Sequence, residues 1–318
     1  MVNQKNQSLE ALFKLICQKP QLTIDAVVQQ IELPENKLRS LISELCQMGL
    51  DVSYQPGLIV LNQSVDLIDV HSIESQLKSC GIELDIHYHF ISKSTNVLAR
   101  NNHSNALYMA DYQSNGKGRQ SKKWLTPLGQ SIAMSLSHRF DCGINKLSGL
   151  NIAIGVSILQ TLKQYGADTI GLKWPNDLVD TAGKVAGILI EVSGNDKTCQ
   201  AIIGIGINWN IQKALFALID QPCSNVNLLN ITRTQFIVEL IKNIKANLKE
   251  FEQNRLAKIL PIWNENDVYI HKEINLLTSS ETESAIYKGI NDKGLLLVEK
   301  NNKISAVASG EVSVRALH

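Results

Sequence analysis

Lys173-Trp174-Pro175-Asn176-Asp177 is the stretch from which the rest of the chain can be read. Residues 170–174 read as a strand. Pro175 cannot donate to a sheet ladder, so it terminates that strand and sets Asn176 and Asp177 in a turn. Lys184 then opens a second strand, 185–192, and Gly194-Asn195-Asp196 turns into a third, 200–209, which holds Gly204-Ile205-Gly206-Ile207-Asn208. The pair alternates as a half-buried sheet does. Upstream lies a loop that is both glycine-rich and basic, Gly116-Lys117-Gly118-Arg119-Gln120-Ser121-Lys122-Lys123-Trp124, preceded by Gln113. Its glycines let the backbone approach a phosphate closely, and Lys117, Arg119, Lys122 and Lys123 bring positive charge. A dinucleotide-binding reading of Gly204 and Gly206 fails, because no third glycine opens a helix. A phosphate-loop reading of 116–122 fails as well, because no Gly-Lys-Ser/Thr tail follows. Turns, cations and an amide gathered in one segment suit a site that holds ATP beside a carboxylate.

The whole chain sets bounds on that reading. It has 318 residues, enough for two or three domains, with 44% hydrophobic and 19% charged residues and a formal net charge of +1. There is no global basic footprint of a nucleic-acid coat. No run reaches the roughly 18 apolar residues of a membrane span, and the N-terminus lacks an apolar signal core, so a cytoplasmic protein is expected. The six cysteines are widely spaced without a CxxC pair, which points to free thiols in a reducing compartment. His87 and His89 face the same way around Tyr88 but have no third ligand nearby, so no metal site held by the protein is expected.

The first 65 residues follow a pattern of their own. Residues 8–18 carry apolar side chains at helical spacing up to Pro20, and Thr23 caps a short helix running to Ile31. After Glu32-Leu33-Pro34, a third helix aligns Leu38, Leu41, Ile42, Leu45 and Met48 and stops at Gly49. Residues 51–61 read as a hairpin turning at Pro56-Gly57. Three helices and a hairpin make a winged helix-turn-helix. The exposed face of the third helix offers Asn36, Lys37, Arg39, Ser40 and Ser43 to bases or phosphates. Five basic against six acidic side chains leave this segment slightly negative, which is unusual for a DNA binder.

The remainder reads as mixed α and β. An amphipathic helix (70–78) precedes a strand at 83–90, followed by Ser92-Lys93-Ser94-Thr95-Asn96, where Ser94 and Thr95 are expected to cap the next helix. A strand at 106–112 leads into Gln113. Residues 149–165 are apolar on nearly every face, hence a buried helix. Thr232-Arg233-Thr234-Gln235 forms a capping box for a helix over 236–251. From about Asp267 the pattern changes to short β runs with turns at 291–294 and 300–302, which read as a small antiparallel barrel.

Across essentially the whole chain, these motifs in this order resemble biotin–protein ligases, and more closely the bifunctional bacterial type that also carries a DNA-binding domain. The resemblance implies an α+β protein. Residues 1–65 would form the winged helix-turn-helix, 66–266 a central mixed α/β catalytic domain of the class II synthetase-like kind, and 267–318 an SH3-like β-barrel. It places Ser94, Thr95, Asn96, Gln113, Gly116, Lys117, Gly118, Arg119 and Lys184 at biotin, with Lys117, Arg119, Lys122, Lys173, Asn176, Asn208 and Arg315 at ATP. Lys184, Arg119 and Lys173 would serve the chemistry, and Mg²⁺ would enter with ATP. The implied partners are a biotin carboxyl carrier domain, operator DNA and, once the adenylate is bound, a second copy of the chain. The family's loop is commonly Gly-Arg-Gly-Arg-x-Gly-Arg. Here Lys117 keeps the charge but loses the bidentate fork, and Ser121 replaces a glycine, from which looser retention of the intermediate is expected. Two rival readings remain. One is a lipoate- or octanoyl-type ligase. The other is a ligand-binding regulator without catalysis, against which the intact Arg119, Lys173 and Lys184 stand.

Overall fold

The computed structural model describes residues 2–100, 105–228, 230–277, 282–308 and 313–316, and their side chains except at 2–4, 121 and 313–316. The chain opens with α1 (Val2–Gln18), β1 (Gln21–Thr23), α2 (Ile24–Ile31), α3 (Glu35–Gln47), β2 (Val52–Gln55) and β3 (Leu58–Leu61). Helix α1 starts well before residue 8, because the polar first turns continue the helix whose apolar stripe begins only at Leu9. Thr23 caps α2 by accepting from the Ala26 N–H at 3.3 Å, and Glu32 ends it in the left-handed conformation. Gly49 (φ +97) closes α3. Strand β1 was not expected. Its three residues pair with β3 to give the order β1-β3-β2, and Leu22 is the one it buries. Leu12, Phe13, Ile16, Val27, Leu38, Ile42 and Leu45 are buried between the helices and this sheet.

The middle of the chain runs α4 (Val70–Ser79), β4 (Asp85–Ser92), α5 (Thr95–Arg100), β5 (Ala106–Gln113), β6 (Ser131–Phe140), α6 (Leu150–Gln164), β7 (Gly171–Lys173), β8 (Asp177–Val179), β9 (Lys184–Gly194), β10 (Cys199–Asn208), α7 (Lys213–Phe216), α8 (Arg233–Asn254) and α9 (Ile259–Asn266). The sheet order is β4-β5-β6-β10-β9-β8-β7, with only the β4–β5 pair parallel. Helices α6 and α8 pack together and bury the apolar side of the sheet. The capping box at Thr232–Gln235 is formed. Asp177 is not a turn residue. It opens β8, because its backbone pairs with Gly187 across a strand too short to show a period.

The last segment, β11 (Glu273–Leu277), β12 (Thr282–Ile290), β13 (Leu296–Lys300), β14 (Lys303–Val307) and β15 (Ser313–Ala316), is an antiparallel sheet of order β14-β13-β12-β11-β15. It shares its core with the central helices through Ile274, Leu276, Tyr287, Leu296 and Val298. Asp267 anchors the junction, accepting from Trp263 Nε1 at 2.8 Å and from the Tyr287 hydroxyl. Burial raises its carboxyl above the ordinary aspartate range.

The N-terminal segment is tied down as firmly. Arg233 is wholly buried and spans the junction. Its Nη1 donates to Asp111 Oδ1 (2.9 Å) and the Ser131 carbonyl (3.1 Å), and its Nε donates to the Asp66 carbonyl (2.7 Å). Tyr88 donates to the other Asp111 oxygen at 2.6 Å. Removing one partner of such a buried pair costs roughly 3–5 kcal/mol, so this link between β5 and α8 is a strong one. Leu128 N–H donates to the Met48 carbonyl, Gln130 Nε2 to the Gly49 carbonyl, and Phe13 packs on Phe90 at 5.3 Å.

Candidate active site

A cleft of about 1360 Å³ opens where the β4–α5 junction, the end of β5 and its following loop, the β7–β8 turn, the start of β9 and the middle of β10 meet. Into it project Ser94, Thr95, Asn96, Gln113, Gly116, Lys117, Gly118, Arg119, Lys122, Lys173, Asn176 and Lys184. Residues separated by ninety positions of sequence are thus gathered by the sheet.

The floor is neutral and polar. Thr95 opens α5, but its own hydroxyl and that of Ser94 are not what caps the helix. Gln113 Oε1 accepts from the Thr95 N–H at 2.8 Å, and Gln113 Nε2 donates to Thr126 at 2.9 Å. The Thr95 and Asn96 side chains meet Ser135 of β6 at 2.7 and 2.6 Å. Ser94, Thr95, Asn96 and Ser135 are buried, so their hydrogen bonds form out of water and fix orientation.

The basic loop folds as a miniature hairpin over this floor. Lys117 bridges Lys123, Trp124 N–H donates to the Gly116 carbonyl at 2.9 Å, and Gly118 N–H donates to the Lys122 carbonyl at 2.7 Å. Gln120 takes the left-handed conformation (φ 52) at its tip. A Cβ at Gly116 would lie 2.4 Å from the Trp124 carbonyl oxygen, so this glycine closes the hairpin. The Trp124 ring lies across β9 and β10, where a Cβ on Gly206 would meet it at 2.3 Å and one on Gly187 at 3.0 Å. Among the described residues, its buried Nε1 has no hydrogen-bond partner. Gly204 is needed for a different side chain: a Cβ there would come within 2.2 Å of Asn96 Oδ1. The two glycines of β10 therefore make room for Asn96 and Trp124.

Cations ring the opening. Lys184 Nζ pairs with Asp177 Oδ1 at 2.6 Å, both groups largely buried, and sits 5.2 Å from the Trp124 ring centre. Arg119 Nη1 donates to Asn176 Oδ1 at 3.1 Å, while Asn176 Nδ2 donates to the Ile188 carbonyl at 2.6 Å, which locks the amide to β9. Burial depresses the Arg119 guanidinium and the Asp177 carboxylate opposes that shift. The guanidinium remains charged. Lys173 Nζ lies over the Tyr269 ring at 5.8 Å, and Lys117 and Lys122 are exposed at the rim. Such a ring stabilises charge that develops on a bound anion.

One expected ligand residue is placed otherwise. Asn208 does not line the cleft. It is 3% exposed, and its Nδ2 donates at 3.0 Å to the carbonyls of Lys184 and Ser224, so it braces the backbone that carries Lys184. Arg315 pairs through its backbone with Asn275, and its side chain lies outside the described residues. Asn36, Lys37, Arg39, Ser40 and Ser43 are exposed on α3, away from the cleft, although Gln47–Gly49 at its end reach the cleft wall. Arg39 is engaged, bonded to Glu35 at 2.8 Å and lying 4.2 Å from the Tyr54 ring centre. Thr126 and Ser135 are not expected at the site from the sequence, and Trp124 and Asp177, which close their two motifs, have no role assigned there. Ser135 alternates with Met134 and Leu136 in Ser131–Phe140, a period of two that marks a strand.

Residues 89–208 match the biotin/lipoate A/B protein ligase family, and residues 269–315 match the biotin protein ligase C-terminal domain. The chain is 31% identical to the "Bifunctional ligase/repressor BirA" of Salmonella typhimurium over 283 residues, covering 86% of this chain and 87% of that protein. The protein of the same name from Bacillus subtilis is 28% identical, with 71% and 73% covered. Among solved structures, the biotin protein ligase from Aquifex aeolicus in complex with biotin and ATP superposes with a TM-score of 0.64 at 26% identity, covering 73% of this chain and 99% of that one. On the match of its central residues and on this identity along most of its length, the chain belongs to the biotin/lipoate A/B protein ligase family.

Proposed function

We infer that this chain is an ATP-dependent biotin–protein ligase, which forms biotinyl-5'-AMP and transfers biotin to a lysine of a biotin carboxyl carrier protein. The observation that carries the reading is the single cleft in which a neutral polar floor (Thr95, Asn96, Gln113) meets a ring of cations (Lys184, Arg119, Lys173). A carboxylate and an amine form a salt, and oxide is a poor leaving group. Adenylation converts the carboxylate into a mixed anhydride whose leaving group is AMP, with pyrophosphate released. The protein's part is to hold carboxylate and α-phosphate together and to offset their charge, with Lys184 and Arg119 nearest that point and Lys117, Lys122, Lys173 and Asn176 on the phosphates. Asp177 balances Lys184 until the anions arrive. Mg²⁺ enters as part of the nucleotide, held by its phosphate oxygens. Among the described residues no cluster of three or more His, Cys, Asp or Glu is placed to hold a metal independently. The acceptor lysine, with an ordinary pKa near about 10.4, has to be presented deprotonated.

The match of residues 269–315 favours biotin over lipoate or octanoate. Biotin-dependent ATP–pyrophosphate exchange tests the choice: exchange with biotin and none with lipoate or octanoate is expected, and the reverse preference refutes it.

The finer architecture is proposed on the same basis: a winged helix-turn-helix at 1–65 with α3 as the DNA-facing helix and β2–β3 as the wing, a catalytic domain at 66–266 and an SH3-like domain at 267–318. The exposed Asn36, Lys37, Ser40 and Ser43 support operator DNA as a partner, with Arg39 available once it leaves Glu35. A weakly negative module needs two copies to hold DNA, so a homodimer favoured by the adenylate is the regulatory form. Among the described residues no helix is long and apolar enough to cross a membrane.

A further inference from the structure

Behind the cleft floor, a file of polar side chains runs from the surface to Thr95. Arg100 on α5 is paired with one oxygen of Glu191 on β9, and the other oxygen of Glu191 accepts from Asn96 Nδ2 at 2.9 Å. The Leu189 carbonyl also accepts from that Nδ2, at 3.4 Å. Asn96 Oδ1 lies 2.6 Å from Ser135 Oγ, and Ser135 Oγ lies 2.7 Å from Thr95 Oγ1.

Counting protons along this file leaves one arrangement. A carboxylate only accepts, so Asn96 must turn its NH₂ to Glu191 and its oxygen to Ser135. Two acceptors cannot sit 2.6 Å apart without a proton between them, so the single Ser135 hydroxyl proton goes to Asn96. Ser135 then has only lone pairs to offer Thr95. Gln113 Oε1, 3.3 Å from Thr95 Oγ1, likewise only accepts. Two oxygens 2.7 Å apart need a proton between them, so the Thr95 proton goes to Ser135 rather than to Gln113 Oε1, which the Thr95 N–H already engages, and the Thr95 lone pairs face the cleft. Gly204 leaves the room this arrangement needs, since a Cβ there would come within 2.2 Å of Asn96 Oδ1.

We propose that Glu191 is a positioning residue that, through Asn96 and Ser135, commits the Thr95 hydroxyl to accept a hydrogen bond, and so selects a ligand with an N–H donor there. The inference rests on the biotin reading above, in which the donor is a ureido N–H. Glu191 itself stands behind the floor and touches no reacting atom.

The full-length protein decides it by calorimetric titration with biotin, using wild type, Glu191→Gln and Ser135→Ala. In Glu191→Gln the one amide oxygen is claimed by Arg100, which can only donate, so the new NH₂ faces Asn96 and reverses every bond as far as Thr95. Ser135→Ala cuts the file without touching the ion pair. Both variants should bind biotin about tenfold more weakly, the equivalent of one hydrogen bond, with the KM for ATP unchanged. A second probe reads the polarity: a pair of biotin analogues in which one or the other ureido N–H is replaced by a ring oxygen. For one of the pair, the preference of wild type for biotin should shrink at least tenfold in both variants. Biotin affinity within twofold of wild type overturns the proposal. Weaker affinity with an unchanged analogue ratio also overturns it, since that is what lost packing alone produces. Failure of the wild type to bind biotin at all is a different result and overturns the functional reading beneath it.

Discussion

Replacing Gly206 with alanine perturbs the Trp124 ring, the platform across β9 and β10, without altering any charged side chain of the cleft. The added Cβ would lie 2.3 Å from Trp124 Cε2 and 2.5 Å from Cζ2 and Nε1, against an ordinary contact of 3.4–4 Å. Ring or strand must therefore move by about 1 Å, and the strand is held between β6 and β9. Forcing an extra methyl into such packing costs typically about 1–3 kcal/mol. The ring yields more easily, and its backbone N–H is bonded to the Gly116 carbonyl, so its displacement carries the hairpin and Arg119 with it. A misplacement of about 1 Å around a reacting centre lowers a rate by roughly a hundredfold. Gly206→Ala should thus melt lower by a few degrees and lose about two orders of magnitude in biotin-dependent ATP–pyrophosphate exchange. Gly118→Ala is the stability control, since Gly118 is extended and its Cβ would meet nothing closer than 3.5 Å; it should melt as wild type does. A Gly206→Ala protein with unchanged melting and exchange within threefold of wild type would refute the platform.

Lys184→Ala should retain its far-ultraviolet spectrum, because Asn208 and Ser224 hold residue 184 through its backbone, yet lose at least about a hundredfold in pyrophosphate release; normal release removes Lys184 from the chemistry. Arg119→Gly should keep part of the adenylation but let the intermediate escape, because the tie to Asn176 across the cleft is cut; labelling of bystander proteins no greater than with wild type contradicts that gating role. Retardation of DNA from the promoter of the organism's own biotin-synthesis genes should require biotin and ATP together and weaken steeply with salt. No ligand-dependent shift at low salt would leave the N-terminal module without an operator role.

What the sequence made legible was mostly what has a period or a punctuating residue. The three N-terminal helices, the buried helix α6 and the β9–β10 hairpin were all readable, since apolar spacing and Gly or Pro mark their ends. Strands of three residues, β1 and β8, have no period to show, so Asp177 reads from sequence as a turn residue. Most of the cleft residues were readable because local motifs carry them: Lys117, Arg119, Lys173 and Lys184 all face one space. Ser135 and Glu191 were not, because nothing local distinguishes a serine in a strand from one that meets Thr95 and Asn96 across the sheet. The orientation of Asn208 is hidden for the same reason. Its motif was visible, but whether its amide turned to the cleft or to the Lys184 carbonyl depended on neighbours far away in sequence.

The central claim, that the cleft activates biotin for transfer to a protein lysine, is met most directly by incubating the full-length chain with ATP, Mg²⁺, biotin and a biotin carboxyl carrier domain, then measuring the mass of the carrier. The expected result is one added biotin on the acceptor lysine, absent without ATP and absent when that lysine is replaced by arginine. A carrier that stays unmodified with biotin, or that is modified with lipoate instead, contradicts the claim.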